Sequence, residues 1–310
     1  MANTRKSINF QAKYCKLMSG EELVESSLHN HLVEHLNSEI VLGTITDIAV
    51  AVNWLRSTFL YIRALKNPKH YGMSPNLTQR EIESKLQAMC MRELHALEKY
   101  ELIRTSNFAY VVESTENGKL MARYYIAFDT MKVFMKIEGS ETLPQLLELL
   151  TLCHEFQEVQ LRRHERPVLN ALNRHKTKES IRFPIPGKIA TKTAKANVLI
   201  QAVLGSLPIS DAGLQQESVK VMRLAERLLR GLTMYLGRKH HFNALSSALT
   251  LHKCSVVKMW ENSALVSRQL PGIGPALSAL LKSAGKNSFR DIVATDPRTL
   301  ERVTTILFFV

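Results

Sequence analysis

LTQREIESKLQAMCMRELHALEKY (residues 77–100) runs into ELIRT (101–105) and then FAYVVE (108–113). The first stretch reads as one long helix. Thr78 and Glu81, three apart at its start, fit a capping box. The two following runs are short and β-like, with Ser106 and Asn107 between them. Upstream, EELVESSLHNHLVEHLNSEI (21–40) sets Leu28, Leu32, Leu36 and Ile40 at four-residue spacing, the mark of an amphipathic helix. TDIAVAVNWLRSTFLYIRAL (46–65) continues as helix, with Thr46 or Asp47 as its N-cap. NPKHYGMSPN (67–76) then interrupts with two prolines and a glycine.

Helices followed by a long helix and a two-stranded hairpin give the order of a winged-helix domain. After the hairpin, STENGKLMARYYIAFDTMKVFMKI (114–137) returns to helix, with Thr115 as cap. From residue 141 the chain reads as almost entirely helical. ETLPQLLELLTLC (141–153) and RPVLNALNRH (166–175) are short helices, and ANVLIQAVLG (196–205) is an apolar one. KTKESIRFPIPGKIATKTAK (176–195) is a basic loop. The longest helix spans about 216–236, and HFNALSSALTLHKCSVVKMW (241–260) makes another. The fold class expected is mainly α: a winged-helix domain, then a helical bundle, then a helix-hairpin-helix.

The 310 residues carry a formal net charge of +13, which favours polyanionic partners such as nucleic acid or an anionic membrane face. The charge is unevenly spread. Residues 21–50 hold six acids and no Lys or Arg, whereas residues 161–200 hold ten Lys or Arg against Glu165 and Glu179. The second stretch is a candidate polyanion contact. No run reaches 18 apolar residues, and Asp47 interrupts the longest apolar stretch, so no membrane span is expected. Cys15, Cys90, Cys153 and Cys254 lie far apart with no C-x-x-C, which suggests a reducing setting and no local zinc or redox pair.

Two constellations point to phosphate. LPGIGPALSALLKSAGK (270–286) places ENSALVSRQL and PALSALLKSAG, read as two helices, on either side of PGIG. Gly272, Ile273 and Gly274 would let a strand backbone approach the free N–H groups of the second helix, whose dipole also favours an anion. Lys282, two turns on, would add a further contact. A nucleotide loop fits poorly, because Gly285-Lys286 is followed by Asn287 and lacks the paired glycine and hydroxyl residue. A plain packing turn remains the alternative. The second constellation is QESVKVMRLAERLLRGLTMYLG (216–237), where Lys220, Arg223, Arg227 and Arg230 recur at three, four and three. Four cations then share one helix face, with Val221, Ala225, Leu228, Leu232 and Tyr235 as an apolar stripe beside it. Here the alternative is an ordinary solvated face. HNHLVEH (29–35) has His31 and His35 one turn apart, but His29 points elsewhere, so no metal site is expected. No nucleophile set, catalytic residue or cofactor-binding motif stands out.

VESSLHNHLVEHLNSEIVLGTITDIAVAVNWLRSTFLYIRALKNPKHYG (24–72) resembles the winged-helix domain of the Ski-two-like DExH helicases of superfamily two. The helical part that follows resembles that group's Sec-sixty-three-type domain, with LMARYYIAFDTMKVF (120–134) joining the two and CHEFQEVQLRRHE (153–165) similar to a segment of that domain. IRFPIPGKIATKTAKANVLIQAVLGSLPISD (181–211) and KCSVVKMWENSALVSRQL (253–270) are most similar to the meiotic crossover-promoting branch of ATP-dependent DNA helicases. The resemblance covers about residues 10–300. It implies a 1–20 remnant of the second RecA-like domain, a winged helix over 21–130, a ratchet bundle over 131–262 and a hairpin domain over 263–310.

The resemblance also implies roles. The winged helix would brace RecA-like motor domains. Lys220, Arg223, Arg227 and Arg230 would lie on the ratchet helix that follows a single strand, where the family often carries a stacking aromatic and this chain has Gly231. ATP and Mg²⁺ belong to the motor, whose P-loop and DExH box are not among these 310 residues. TTILFFV (304–310) stands where the hairpin domain would continue, as in a truncated gene model, an isoform or a degenerate copy. The implied function is the single- or branched-DNA-binding portion of a nuclear 3′–5′ helicase in meiotic recombination, without ATPase activity of its own. Meiotic recombination proteins are candidate partners. A motorless protein-interaction module and an RNA-directed accessory domain stay open as alternatives.

Overall fold

A computed structural model describes residues 14–20, 24–106, 111–174 and 181–305. Expectations for residues 1–13, 21–23, 107–110, 175–180 and 306–310 lie outside the described residues. The chain divides into two compact units, Met1–Ala122 and Arg123–Val310.

In the first unit, α1 (Leu32–Leu42), α2 (Ile48–Arg56), α3 (Phe59–Lys66) and α4 (Gln79–Lys99) lead into a sheet of β1 (Ile103–Thr105) and β2 (Val112–Ser114). Then α5 (Glu116–Tyr124) begins. Thr78 and Glu81 form the expected capping box, the Thr78 N–H donating to Glu81 Oε2 at 2.7 Å. From that fixed start, Ile82, Leu86, Cys90, Leu94 and Leu97 fall on one side of α4 and are buried against α1 and α2. Leu32, Leu36 and Ile40 meet them from α1, and Ala51 and Leu55 from α2. Each such leucine contributes about 1.5–3 kcal/mol. β1 and β2 are antiparallel, with Arg104 opposite Glu113. Val112 also donates to the Thr46 carbonyl at 2.8 Å, so the chain entering α2 adds a third strand-like rung. This arrangement is a winged helix.

The second unit contains α6 (Phe128–Phe134), α7 (Leu143–Thr151), α8 (Arg166–Leu172), α9 (Lys192–Leu204), α10 (Ala212–Leu236), α11 (Phe242–Val257), α12 (Pro275–Ser283), α13 (Phe289–Val293) and α14 (Pro297–Thr305). α9 is buried on nearly every side and is the axis of the bundle, with α7, α8 and α10 packed around it. Its polar residues are satisfied. Gln201 accepts from the Phe183 N–H at 2.7 Å and donates to the Phe183 carbonyl at 2.8 Å. Asn173 does the same for Ile185, at 2.7 and 2.8 Å. Two side-chain amides thus hold residues 183 and 185 as a neighbouring strand would.

The mainly α architecture agrees with the sequence, but four segments differ in detail. Leu28 lies in a 3₁₀ turn, and the helix expected over 21–40 begins at Leu32. Residues 46–65 form two helices, because the Ser57 and Thr58 hydroxyls take the Trp54 and Leu55 carbonyls, each at 2.7 Å. Asp47, not Thr46, caps the first, accepting from the Val50 N–H. Residues 114–137 also form two helices, separated at Tyr125, whose φ is +50°. Thr115 caps the first by accepting from the Gly118 N–H. The second is capped from afar: Glu155 accepts from the Ala127 N–H at 2.9 Å and from the Thr130 hydroxyl. Finally, ENSALVSRQL is not an α-helix. It holds one 3₁₀ turn, Val266–Gln269, so the hairpin has a single full helix, α12.

Glu25 ties the entry of the first unit to the end of α3. Its carboxylate accepts from Arg63 Nη2 at 2.7 Å, Arg63 Nε at 3.1 Å, Asn67 Nδ2 at 2.7 Å and Tyr71 Oη at 2.9 Å. The Arg63 guanidinium, then Asn67, hold its pKa down at about 2, from an ordinary 4.5. A depressed carboxyl stabilises the fold above its unfolded pKa and loses that contribution as pH falls towards the folded one. Glu25→Gln is therefore expected to lower the unfolding midpoint at pH 7. The gap to the native chain should hold from pH 7 to about 5 and shrink below about 4.5 in denaturant titrations. A gap that widens on acidification would contradict this assignment.

Candidate nucleic-acid interface

α10 begins where Asp211 accepts from the Leu214 N–H at 2.8 Å. It runs for 25 residues, about 37 Å at 1.5 Å per residue. Leu214, Val221, Met222, Ala225, Leu228, Leu229, Leu232, Tyr235 and Leu236 are buried, packing on α9 and α11. The opposite face carries Lys220, Arg223, Arg227 and Arg230, continued by Gln216 and Met234 at the same helical spacing. Lys220, Arg223 and Arg230 are exposed and Arg227 is half-buried. Among the described residues, none of the four forms an ion pair. The sequence-derived stripe is thus one continuous, unneutralised face.

A buried ammonium fixes that face in rotation. Lys195 of α9 is fully buried, and its Nζ donates to Glu217 Oε2 of α10 at 2.6 Å. It also donates to Glu165 Oε2 at 2.7 Å and to the Gln160 carbonyl at 2.6 Å. Three donors meet three acceptors, so the charge is satisfied. Burial alone would raise the Glu165 pKa, but Lys195 and the Arg162 N–H outweigh it and hold the carboxyl low. Lys195 belongs to the basic stretch 161–200, whose charge the sequence offers as a candidate polyanion contact. The structure corrects that, since its charge is spent internally. Arg182 is also engaged, paired with Glu261 at 2.7 Å and lying over Trp260. Arg162, Arg163, Arg166, Arg174 and Lys188 of that stretch are exposed.

The turn Tyr124–Ile126 lies against the same face. Arg227 Nη1 donates to the Tyr125 carbonyl at 3.0 Å, and the Arg230 guanidinium sits 5.8 Å from the Tyr124 ring centroid. Gly231 is buried beneath this turn. A Cβ there would come within 2.6 Å of Ile126 Cδ1. Gly231 therefore faces the protein interior and not the cationic face. Burial, then the nearby Arg230, push the His252 pKa of α11 below its ordinary value, so that imidazole adds little charge here at neutral pH.

The hairpin residues form a separate group. Gly272 has φ +81°, a conformation that favours glycine, and no side chain caps α12, whose first residue is Pro275. Gly272, Gly274 and Lys282 are exposed, Ile273 is half-exposed, and added Cβ atoms at Gly272 and Gly274 would meet open space. A buried Ser267–Ser278 hydroxyl pair at 2.7 Å joins the 3₁₀ turn to α12. Gly285, with φ +77°, ends α12 in a Schellman cap. Its N–H donates to the Lys282 carbonyl, and that of Lys286 to the Leu281 carbonyl. Those N–H groups are occupied, so Gly285-Lys286 does not fit a nucleotide phosphate.

Elsewhere, His29 bonds the Ser26 carbonyl at 3.1 Å and packs edge-on to Tyr71. Among the described residues no helix is long and apolar enough to cross a membrane.

Comparison with known proteins accounts for both units. Residues 114–299 match the family model described as Sec63 Brl domain, and residues 25–106 match a Winged Helix-turn-helix domain model. The chain is 47% identical over 300 residues to the Probable ATP-dependent DNA helicase HFM1 of Xenopus tropicalis, covering 96% of this chain and 22% of that protein. It is 35% identical to the ATP-dependent DNA helicase MER3 homolog of Oryza sativa subsp. japonica, covering 94% of this chain and 25% of the relative. It is 31% identical to the U5 small nuclear ribonucleoprotein 200 kDa helicase of Drosophila melanogaster, over 80% of this chain and 12% of the relative. The chain thus spans a quarter or less of each of these relatives.

Lys195→Met leaves Glu165 and Glu217 without their shared cation, and is expected to cost about 3–5 kcal/mol in urea unfolding. Adding Glu165→Gln should recover part of that loss, because the carboxylate left uncompensated is then removed. A loss that grows with the second change would count against this role for Lys195.

Proposed function

Because the chain belongs to the Sec63 Brl domain family, we propose that it is the strand-guiding portion of an ATP-dependent DNA helicase acting in meiotic recombination and crossover formation. The observation that carries the reading is the cationic face of α10. Four cations at helical spacing that meet no carboxylate among the described residues, on a helix about 37 Å long, match a polyanion with regularly spaced charges. The names of the relatives at 47% and 35% identity, both ATP-dependent DNA helicases, supply the substrate class.

In this reading the DNA strand lies along Lys220, Arg223, Arg227 and Arg230, held by its phosphates and not read by sequence. Gly272, Ile273, Gly274 and Lys282 form a second backbone contact through the uncapped end of α12. The winged helix braces RecA-like motor domains, where ATP and Mg²⁺ would act, and the 310 residues alone hydrolyse no ATP. The working compartment is the nucleus, the substrates are single-stranded or branched DNA, and meiotic recombination proteins are partners.

Anisotropy titrations with a single-stranded oligonucleotide test this. Lys220→Glu/Arg223→Glu is expected to weaken binding strongly, whereas Arg80→Glu/Lys85→Glu on α4, with the same change in net charge, should weaken it far less. In the milder Lys220→Gln/Arg223→Gln chain, the slope of log K against log salt should fall by about 1.4, at roughly 0.7 for each phosphate no longer neutralised. Equal losses from both reversals would sink the assignment to α10. An RNA strand displacing the DNA at lower concentration would redirect it to RNA.

A further inference from the structure

Tyr125 is 80% exposed and has φ +50°, a backbone conformation seldom taken by a bulky residue. A glycine could make this turn without strain. The turn is anchored on every side while its ring is left in solvent. Arg227 holds the Tyr125 carbonyl, Glu155 caps the Ala127 N–H, and Ile126 is buried above Gly231. Next to it, the half-buried Tyr124 lies under the Arg230 guanidinium. The backbone that carries an exposed aromatic is thereby held against α10, where the line of cations runs.

The geometry points to Tyr125 as a base-stacking platform: its ring takes the face of an unpaired base, while Arg223 and Arg230 take phosphates of the same strand. The inference rests on the proposed strand-guiding role and adds a contact to the base. The chemistry favours a single strand, whose bases are free to turn outward. Stacking on an aromatic ring is tolerant of sequence, because every base offers a π-face. The role differs from that of the cations, which grip phosphates whether or not bases are present. Tyr125 sits at the junction of α5 and α6, so the aromatic reaches the strand path from outside the helix that carries the charge.

The test uses the 310-residue chain and two fluorescent strands of equal length, one normal and one fully abasic. Tyr125→Ala is expected to bind the normal strand about 5- to 30-fold more weakly and the abasic strand unchanged, with the salt slope retained. Tyr125→Phe should bind both strands like the native chain. A 2-aminopurine strand should be quenched on binding the native chain and much less on binding Tyr125→Ala. Unchanged affinity of Tyr125→Ala for the normal strand would overturn the platform, as would an equal loss on the abasic strand. If the native chain shows no salt-dependent binding to either strand, the strand-guiding role fails and the platform with it. If native binding is salt-dependent and sensitive to Arg223 but not to Tyr125, the platform alone fails.

Discussion

The second unit depends on one buried ammonium. Lys195 is fully buried in α9 and saturates its three donors on Glu165, Glu217 and the Gln160 carbonyl. Moving such a charge out of water costs several kcal/mol, which is offset only when each donor finds an acceptor at good geometry. That requirement couples three parts of the chain. α9 must present Lys195, the 160–165 segment must fold back over it, and α10 must bring Glu217 to its other side. Once Glu217 is placed, the rotation of α10 is set. Its apolar stripe then faces α9 and α11, and Lys220, Arg223 and Arg230 face solvent.

The chain therefore uses its positive charge in two ways. Lys195, Arg63 and Arg182 are committed to Glu165 and Glu217, to Glu25, and to Glu261. They act as internal fastenings. The cations of α10 meet no carboxylate among the described residues, so their field remains available to an external polyanion. Net charge gives the total but cannot make this division, because a lysine inside a carboxylate cluster and one facing water count the same.

Most of the first unit was legible in the sequence for local reasons. The Thr78–Glu81 capping box, the Asp47 cap and the β1–β2 hairpin are decided by residues a few positions apart. Of the points that differed, the break at Ser57 and Thr58 is local, made by hydroxyl bonds three residues back, whereas others depend on a distant group. Glu155 caps α6 from 28 positions away, and Tyr125 interrupts a run that its own residues would continue as helix. The 3₁₀ turn Val266–Gln269 is fixed to α12 by the Ser267–Ser278 pair, which helical propensity does not reveal.

The sequence by itself determined the helical order, the winged helix and the four-cation periodicity of residues 220–230, because caps, turns and amphipathic spacing are local properties of the chain. It also carried the resemblance to the helicase family, since long ordered segments are specific where short motifs are not. Tertiary structure decided which cations are free, which way Gly231 faces, and that Tyr124 and Tyr125 stand beside the cationic face of α10. Those facts depend on desolvation and on close approach between segments up to 102 residues apart, as in the Arg227–Tyr125 bond. No spacing along the chain encodes such distances.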